Sequence, residues 1–502
     1  MFSLSSENLS RKARLSYLGL ALFVALAFDF LFWDVQVLGL GFFLFVSLYI
    51  LGFTLIAFLS KQLHQLKALW LLLPIFIFSL DILSLNNDFV KSLVPLLVAI
   101  LLLVYPFLLT LRNPEKLKFD LFKLSLLGNF SKGINKLQQI FSDLGSSSKV
   151  KNSELYKKIL IGVLISVPIL FIFLALFLSA DPVFAKKVHS LFNFQVEPDL
   201  VFRIFRTLFL TLILGSFFYI LVDNSHKLEY SKKLVLKIDK AVAIVVLSLV
   251  NFLFATFVII QLQYLFGSTN FVLEQGLVFA DYARQGFFQL VWVIIFSAIL
   301  LVIFYRSASE HGSHIALKLL KIFLILQVAV IVMSALKRMN LYQEAYGFTT
   351  MRLYVEWFIY FCIAILTFTA VSLSIDFEFR RFFNIIVGLG IVALCVVSSI
   401  NVDRMIARRN IDRFVNENKS IDLYYLVRLS SDAIEEINRL NFTMETDGVS
   451  NSSNLYYYSD NDYFDINTNP AKYIKNSWKE RHENKTWKEF NFSVNKLWKT
   501  NN

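Results

Sequence analysis

KRMNLYQEAYGFTTMRLY, residues 337–354, is a polar and aromatic segment set between two long apolar runs, and its reading decides the fold. Lys337, Arg338, Glu344 and Arg352 fall within it, beside Tyr342, Tyr346 and Tyr354. Charge inside hydrocarbon is costly unless it is paired or hydrated, so the segment belongs at a membrane surface and the flanking runs belong in the bilayer.

Composition supports this. Hydrophobic residues make up 57% of the 502 and charged ones only 17%, more apolar surface than a soluble core can hide. Working outward from the segment, apolar runs lie at 319–336, 287–305, 241–262, 201–222, 159–179, 92–111, 68–85, 38–59 and 15–33 on one side, and at 353–375 and 382–400 on the other. Each can cross about 30 Å of hydrocarbon at about 1.5 Å per residue. Backbone polar groups in lipid must be satisfied internally, which makes the runs helices. The expectation is an all-α polytopic transmembrane bundle of about eleven helices over residues 1–400. The first run follows Arg11, Lys12 and Arg14 like a signal peptide. No small-residue cleavage site follows it, and it ends in FDFLFWD, so it reads as an anchored helix.

Lys and Arg counts set the orientation. With the N-terminus inside, the cytoplasmic segments carry 25 such residues and the short outside loops 9, even with helix-end residues included. The positive-inside rule then places the N-terminus in and, with an odd number of spans, the C-terminus out. The net charge of +12 is accounted for by this bias rather than by nucleic acid, which is not an expected partner. Cys362 and Cys395 both lie in apolar runs and read as small buried hydrophobes. The implied localisation is a cell membrane, with the lipid bilayer as the first partner.

The longest cytoplasmic loop, 112–158, spaces Leu117, Leu121, Leu124 and Leu127 among lysines and reads as an amphipathic helix on the inner surface. No phosphate-cradling glycine loop or kinase signature occurs in any loop. The outside loops differ in chemistry. SADPVFAKKV (179–188), FADYARQGFFQL (279–290) and the 337–354 segment emerge on one face, with Asp29 and Asp81 approaching the same side. Helical spacing places Arg203 with Arg206, Asp281 with Arg284, and Arg352 with Glu356 on common faces. The candidate ligand-binding residues are Asp181, Arg203, Arg206, Asp281, Arg284, Arg338, Tyr342, Glu344, Tyr346 and Arg352. The competing reading is of helix-end ion pairs and snorkelling arginines.

The motifs SADPVFA (179–185), ADYARQGFFQL (280–290), KRMNLYQEAYGFTTMRLY (337–354) and NVDRMIARRNIDR followed by IDLYYLVRLSSDA (401–433) carry a resemblance. In them the chain resembles a family of bacterial multi-pass membrane proteins known as a domain of unknown function, the 4173 and 4153-like type. The resemblance spans about residues 160–440 and implies a multi-pass protein without supplying an activity.

Past the last run, residues 401–440 read as membrane-proximal extracytoplasmic helices. Arg404, Arg408 and Arg409 are available there to headgroups or acidic partners, and Asp432 with Glu435 has a capping-box spacing. Residues 441–502, rich in Asn, Tyr, Trp and Lys, read as a small or partly ordered tail, with His482 on its surface. His311 and His314 share a helix face without the further ligands a metal needs, and no metal or other cofactor is expected. Asn251, Gln261, Gln263, Gln289 and Gln327 read as interhelical hydrogen-bond donors and acceptors.

Three functional classes follow. The outside charged and aromatic residues suit binding or sensing of an envelope ligand or protein partner. A transporter would use them as a vestibule, although the helix centres carry no ionisable residues of the kind that mark a midplane site. An enzyme acting on a lipid-linked substrate is similar to polyprenyl-dependent glycosyltransferases in helix number and outside tail. Those enzymes place an acidic motif in a large first outside loop, and here that loop is only about DVQV (34–37). Enzyme therefore ranks below non-enzyme.

Overall fold

Ten of the eleven apolar runs coincide with helices in a computed structural model of the protein. It describes residues 6–111, 198–222, 240–266, 287–309, 315–375, 377–439, 455–456, 470–483 and 486–499, with positions 136, 137, 139, 140 and 143. The fifth run, 159–179, and most of loop 112–158 lie outside the described residues. Among the described residues nine helices are long and apolar enough to cross a membrane, and Leu290–Leu301 forms a shorter apolar stretch. The chain is an all-α, multi-pass membrane protein. It divides into two units, one of residues 1–83, 91–231 and 485–491 and the other of 84–90, 232–484 and 492–502.

In the first unit α1 (Ser6–Phe32) packs against α2 (Leu40–Leu59) and against the helix Pro198–Val222. A 3-10 turn at Leu66–Leu71 leads into α3 (Leu72–Ser84), α4 runs Asp88–Thr110, and Pro198–Val222 is α5. The α1–α5 seam is close because its residues are small. Ala21 and Ala25 are buried on α1, and a Cβ on Gly215 would come within 3.0 Å of Leu18 Cδ1. Beside it Tyr17, Phe53 and Phe218 form an aromatic core with ring centroids 5.4–5.9 Å apart. Tyr49 donates its hydroxyl to the Leu102 carbonyl at 2.9 Å, which satisfies a polar tip in an apolar interior. Elsewhere large apolar side chains face outward, Phe252 on the second unit being 75% exposed, as a lipid-facing surface requires. Of loop 112–158 the few described positions are helical, and the Asp143 carboxylate accepts Arg14 Nε at 2.7 Å and Nη2 at 3.1 Å.

The second unit has two cores. One gathers α6 (Lys240–Phe266), α7 (Phe287–Ser309), α8 (Ile315–Tyr346) and α9 (Thr350–Ser374), joined by α10 (Phe379–Ser399). Its centre is the α8 stripe Leu317, Leu324, Val328, Ile331 and Ala335, spaced seven and then three or four apart. Gln327 Nε2 donates to the Asn251 carbonyl at 3.1 Å and Asn251 Nδ2 to the Leu320 carbonyl at 3.1 Å, the interhelical role read for both amides.

The other core is built from α11 (Val402–Glu417), α12 (Leu423–Arg428), helical residues 434–439, α13 (Pro470–Glu480) and α14 (Phe492–Lys499). A two-residue parallel strand pair, Ile421–Asp422 with Leu455–Tyr456, is its only sheet among the described residues. Here two expectations are corrected. Asp432 forms no capping box with Glu435: Ser430 accepts the Asp432 N–H, and the Asp432 carboxylate accepts the backbone N–H groups of Asn86 and Asn87. Nor do residues 470–499 form an appendage. Trp478 is 1% exposed, Ile474 and Leu497 are equally buried, and Trp478 Nε1 donates to the Val427 carbonyl at 3.0 Å. The strong amphipathic spacing of Ile474 with Trp478, and of Val494 with Leu497, lies in segments too short to stand out against the polar sequence around them. His482 is half-buried against Asn86, at 3.0 Å, rather than free on the surface.

Residues 485–491, between α13 and α14, belong to the first unit. Thr486 and Glu489 close a capping box around a 3-10 turn, and Phe490 O accepts the Leu40 N–H at 3.0 Å. Gly39 is required by this approach, because a Cβ there would lie 2.5 Å from the Phe490 carbonyl oxygen.

Candidate functional site

The 337–354 segment is helical to Tyr346, and its turn is confined to the three residues before α9. Gly347 adopts φ +79°, and a Cβ there would meet Arg413 Nη1 at 2.7 Å and Asn410 Oδ1 at 2.9 Å, so the position needs glycine on both counts. A helix C-terminus leaves carbonyls unpaired at the negative end of its dipole. Two arginines satisfy them. Arg352 Nη1 donates to Tyr346 O at 3.1 Å and Gly347 O at 2.7 Å, and Arg413 Nη2 donates to Glu344 O. The Arg352 guanidinium lies over the Tyr342 ring at 4.0 Å and the Tyr346 ring at 5.8 Å. Asn410 clasps Phe348, accepting its N–H at 2.8 Å and donating to its carbonyl at 2.9 Å.

Tyr342, Tyr346 and Arg352 are thus brought together, but as a clamp on the helix end. The Glu344 side chain is exposed. Glu356 faces Gln343 Nε2 at 2.9 Å and the Tyr360 hydroxyl at 3.0 Å instead of Arg352. Asp181, Asp281 and Arg284 lie outside the described residues. Two arginines of α11 are also engaged, Arg404 with Glu435 at 2.6 Å and Arg409 over the Phe348 ring at 4.8 Å.

The remaining candidates, Arg203 and Arg206, meet in the first unit on one carboxylate. Asp29, 7% exposed near the end of α1, accepts Arg203 Nε at 2.9 Å and Nη2 at 2.7 Å on Oδ2, while Arg206 Nη2 donates to Oδ1. Both guanidinium carbons lie 5.1 Å from the Trp33 ring centroid, and Arg206 also faces Phe28 and Phe202. Lys488 of the 486–491 turn donates Nζ to the Trp33 carbonyl at 3.4 Å and sits over Phe30 at 5.0 Å. Among the described residues, two guanidiniums on one carboxylate leave one net positive charge, and Lys488 adds another beside the same tryptophan. Arg206 Nε is buried and without a hydrogen-bond partner. Such a group is costly to leave unmade, and the two planar forks, stacked on an indole, suit an anion with several oxygens.

Three functional features escaped the sequence reading. Lys321 lies near the start of the apolar run 319–336, but α8 begins earlier, at Ile315, and buries it to 1%, its Nζ without a hydrogen-bond partner. The signal was its spacing, four after Leu317 and three before Leu324, which is the apolar seam of α8. Asn251 Oδ1 and Gln327 Oε1 are likewise buried without donors. Asp403, on α11, is buried with its Oδ2 accepting the Ser430 N–H at 2.9 Å, and burial pushes its carboxyl up to about 6, aided by the charges of Asp432 and Asp88. Lys488, third, lies in a stretch without periodicity, and nothing local marks it. Among the described residues no group of three His, Cys, Asp or Glu side chains could hold a metal ion.

The family model for the domain of unknown function DUF4153 matches residues 18–440, more than four-fifths of the chain. The chain belongs to the DUF4153 family. The match begins within α1, taking in Asp29 and Trp33, and runs through Arg203, Arg206 and α8–α12, ending before α13, Lys488 and α14. No curated protein and no solved structure matches it.

Proposed function

We propose that this DUF4153 protein is a binding or sensing protein of the bacterial plasma membrane that receives an anionic envelope ligand at the Asp29, Trp33, Arg203 and Arg206 cluster. The proposed topology has about eleven spans, the N-terminus inside and the C-terminus outside, which puts this cluster on the extracytoplasmic face. One observation carries the reading: Asp29 neutralises only one of the two guanidiniums that hold it, at a site where an unbalanced charge is expensive. The arginines of the 337–354 clamp, by contrast, are already engaged with carbonyls.

The test uses inorganic pyrophosphate on the purified full chain in detergent. A ligand that binds only the native state raises stability as its concentration passes Kd. Wild type should gain thermal stability in millimolar pyrophosphate, and Arg206→Gln should lose that gain. An equal response in both proteins would remove the site. Orientation is tested with single cysteines at Ser453 and Ser147 on a background lacking Cys362 and Cys395. An impermeant thiol reagent on intact spheroplasts should label the first and spare the second, and the reverse pattern would invert the topology.

A second reading, transport, is supported by one observation only. Lys321, Asn251 and Gln327 leave three polar atoms of opposite hydrogen-bonding character unsatisfied inside the helical core of the second unit. Intramembrane polar groups of that kind commonly mark a pathway.

A further inference from the structure

We propose that the ligand of the Asp29–Arg203–Arg206 cluster is the phosphate of a lipid headgroup, an inference that rests on the anion site just described and names its substrate class. The donor set fits phosphate. Arg203 commits Nε and one Nη to Asp29, and Arg206 commits one Nη, which leaves Arg203 Nη1, Arg206 Nε and Arg206 Nη1 around the same carboxylate. A phosphomonoester presents up to two negative charges and three oxygens, matching the excess positive charge of the arginines together with Lys488. A carboxylate would use only one fork and leave charge unbalanced.

The surroundings fit a lipid rather than a free ion. Phe30, Phe202 and Trp487 are each about half exposed, with Lys488 over Phe30 and Arg206 over Phe202. Trp487 and Phe30 are 6.3 Å apart, centroid to centroid, so the 486–491 turn extends the aromatic surface that α1 begins. Leu26, one turn earlier on α1, is 51% exposed and carries the apolar flank toward the middle of the helix. A soluble phosphate leaves this carbon surface in water, whereas an amphiphile covers it with its acyl chains while its headgroup reaches the arginines.

The experiment is native mass spectrometry of the full chain released from phosphatidylcholine nanodiscs containing phosphatidic acid, with lipid retention as the readout. Wild type should retain phosphatidic acid over phosphatidylcholine. Arg203→Gln and Arg206→Gln should each lower that retention roughly tenfold or more, the loss of one charge-assisted hydrogen bond. Arg381→Gln, an exposed arginine elsewhere, should not. Because either arginine substitution leaves Asp29 buried with less compensation, Asp29→Asn is the second variant. It frees both forks and should raise retention, whereas a purely structural ion pair would leave retention unchanged. Equal retention of the two lipids by wild type overturns the proposal. Glycerol 3-phosphate displacing phosphatidic acid at the concentration of bound lipid would assign the site to soluble phosphate, keeping the anion site and refuting the lipid. Absence of any arginine-dependent retention, of lipid or of pyrophosphate, would refute both.

Discussion

Glu489 holds the backbone of Gln36 across 453 positions of sequence, its Oε1 accepting the Gln36 N–H at 2.9 Å and that of Val37 at 3.0 Å. The second oxygen accepts the Thr486 N–H at 3.0 Å and its hydroxyl at 3.3 Å, so a 5%-exposed carboxylate holds three main-chain N–H groups. Charged acceptors make stronger bonds than neutral ones, and removing them strands their donors. Glu489→Ala should therefore lower stability in detergent by about 1–3 kcal/mol. Gly39→Ala should do the same by sterics alone, since its Cβ meets backbone and not a side chain that could turn aside. Thermal melts of both variants check this, and an unchanged Gly39→Ala would mean the turn does not dock.

Deleting residues 442–502 removes Trp478, Ile474 and Leu497 from the second core and Glu489 from the α1–α2 turn. Losing one large core side chain costs about 3–5 kcal/mol. The truncated chain should aggregate or melt far below wild type on size-exclusion chromatography after heating, and a monodisperse truncation with wild-type melting would make this region dispensable.

Arg352→Ala should cost about 1.5–3 kcal/mol, because it strips two carbonyls of a charged donor and Tyr342 of its cation. Glu344→Gln should cost close to nothing, and its double-mutant cycle with Arg338→Gln should show coupling near zero. Sizeable coupling would restore a charge network at residues 337–354.

Asp403 gives a pH dependence of defined sign. Its carboxyl is raised to about 6 from an unfolded value of about 3.9, so the native state holds the proton more tightly. The stabilisation is complete below about pH 4 and disappears as pH rises through about 6, a span of about 3 kcal/mol. Chemical denaturation should find wild type more stable at pH 5 than at pH 7.5 by a margin that Asp403→Asn lacks. Parallel profiles for the two proteins would refute it.

Lys321→Met should raise stability by about 1–3 kcal/mol, since it replaces an unsatisfied buried donor with an unbranched apolar chain of similar length. If the variant is instead less stable, Lys321 has an acceptor in the native state.

Helices and their apolar faces were legible from the chain alone, because lipid imposes one rule on every span: a run long enough to cross and a backbone that bonds to itself. The same local rule made Arg203 and Arg206 readable as a pair, three apart on one face. Partners were not readable. Arg352 reads from the sequence as a ligand-binding cation, but α8 ends at Tyr346, and the carbonyls freed there claim Arg352 together with Arg413, which no local pattern marks. Lys321 sat at the edge of an apolar run, and only the packing of α8 among its neighbours placed it inside. Asp29 and Glu489 each meet groups more than 170 residues away, and such pairings follow from the three-dimensional path of the chain, which spacing cannot encode. Sequence determined that the chain crosses a membrane many times with its charges at helix ends. Tertiary structure decided which charges are consumed in holding the fold and that Arg203 and Arg206 share the one carboxylate of Asp29, because the cost of burying a charge depends on what else is buried beside it.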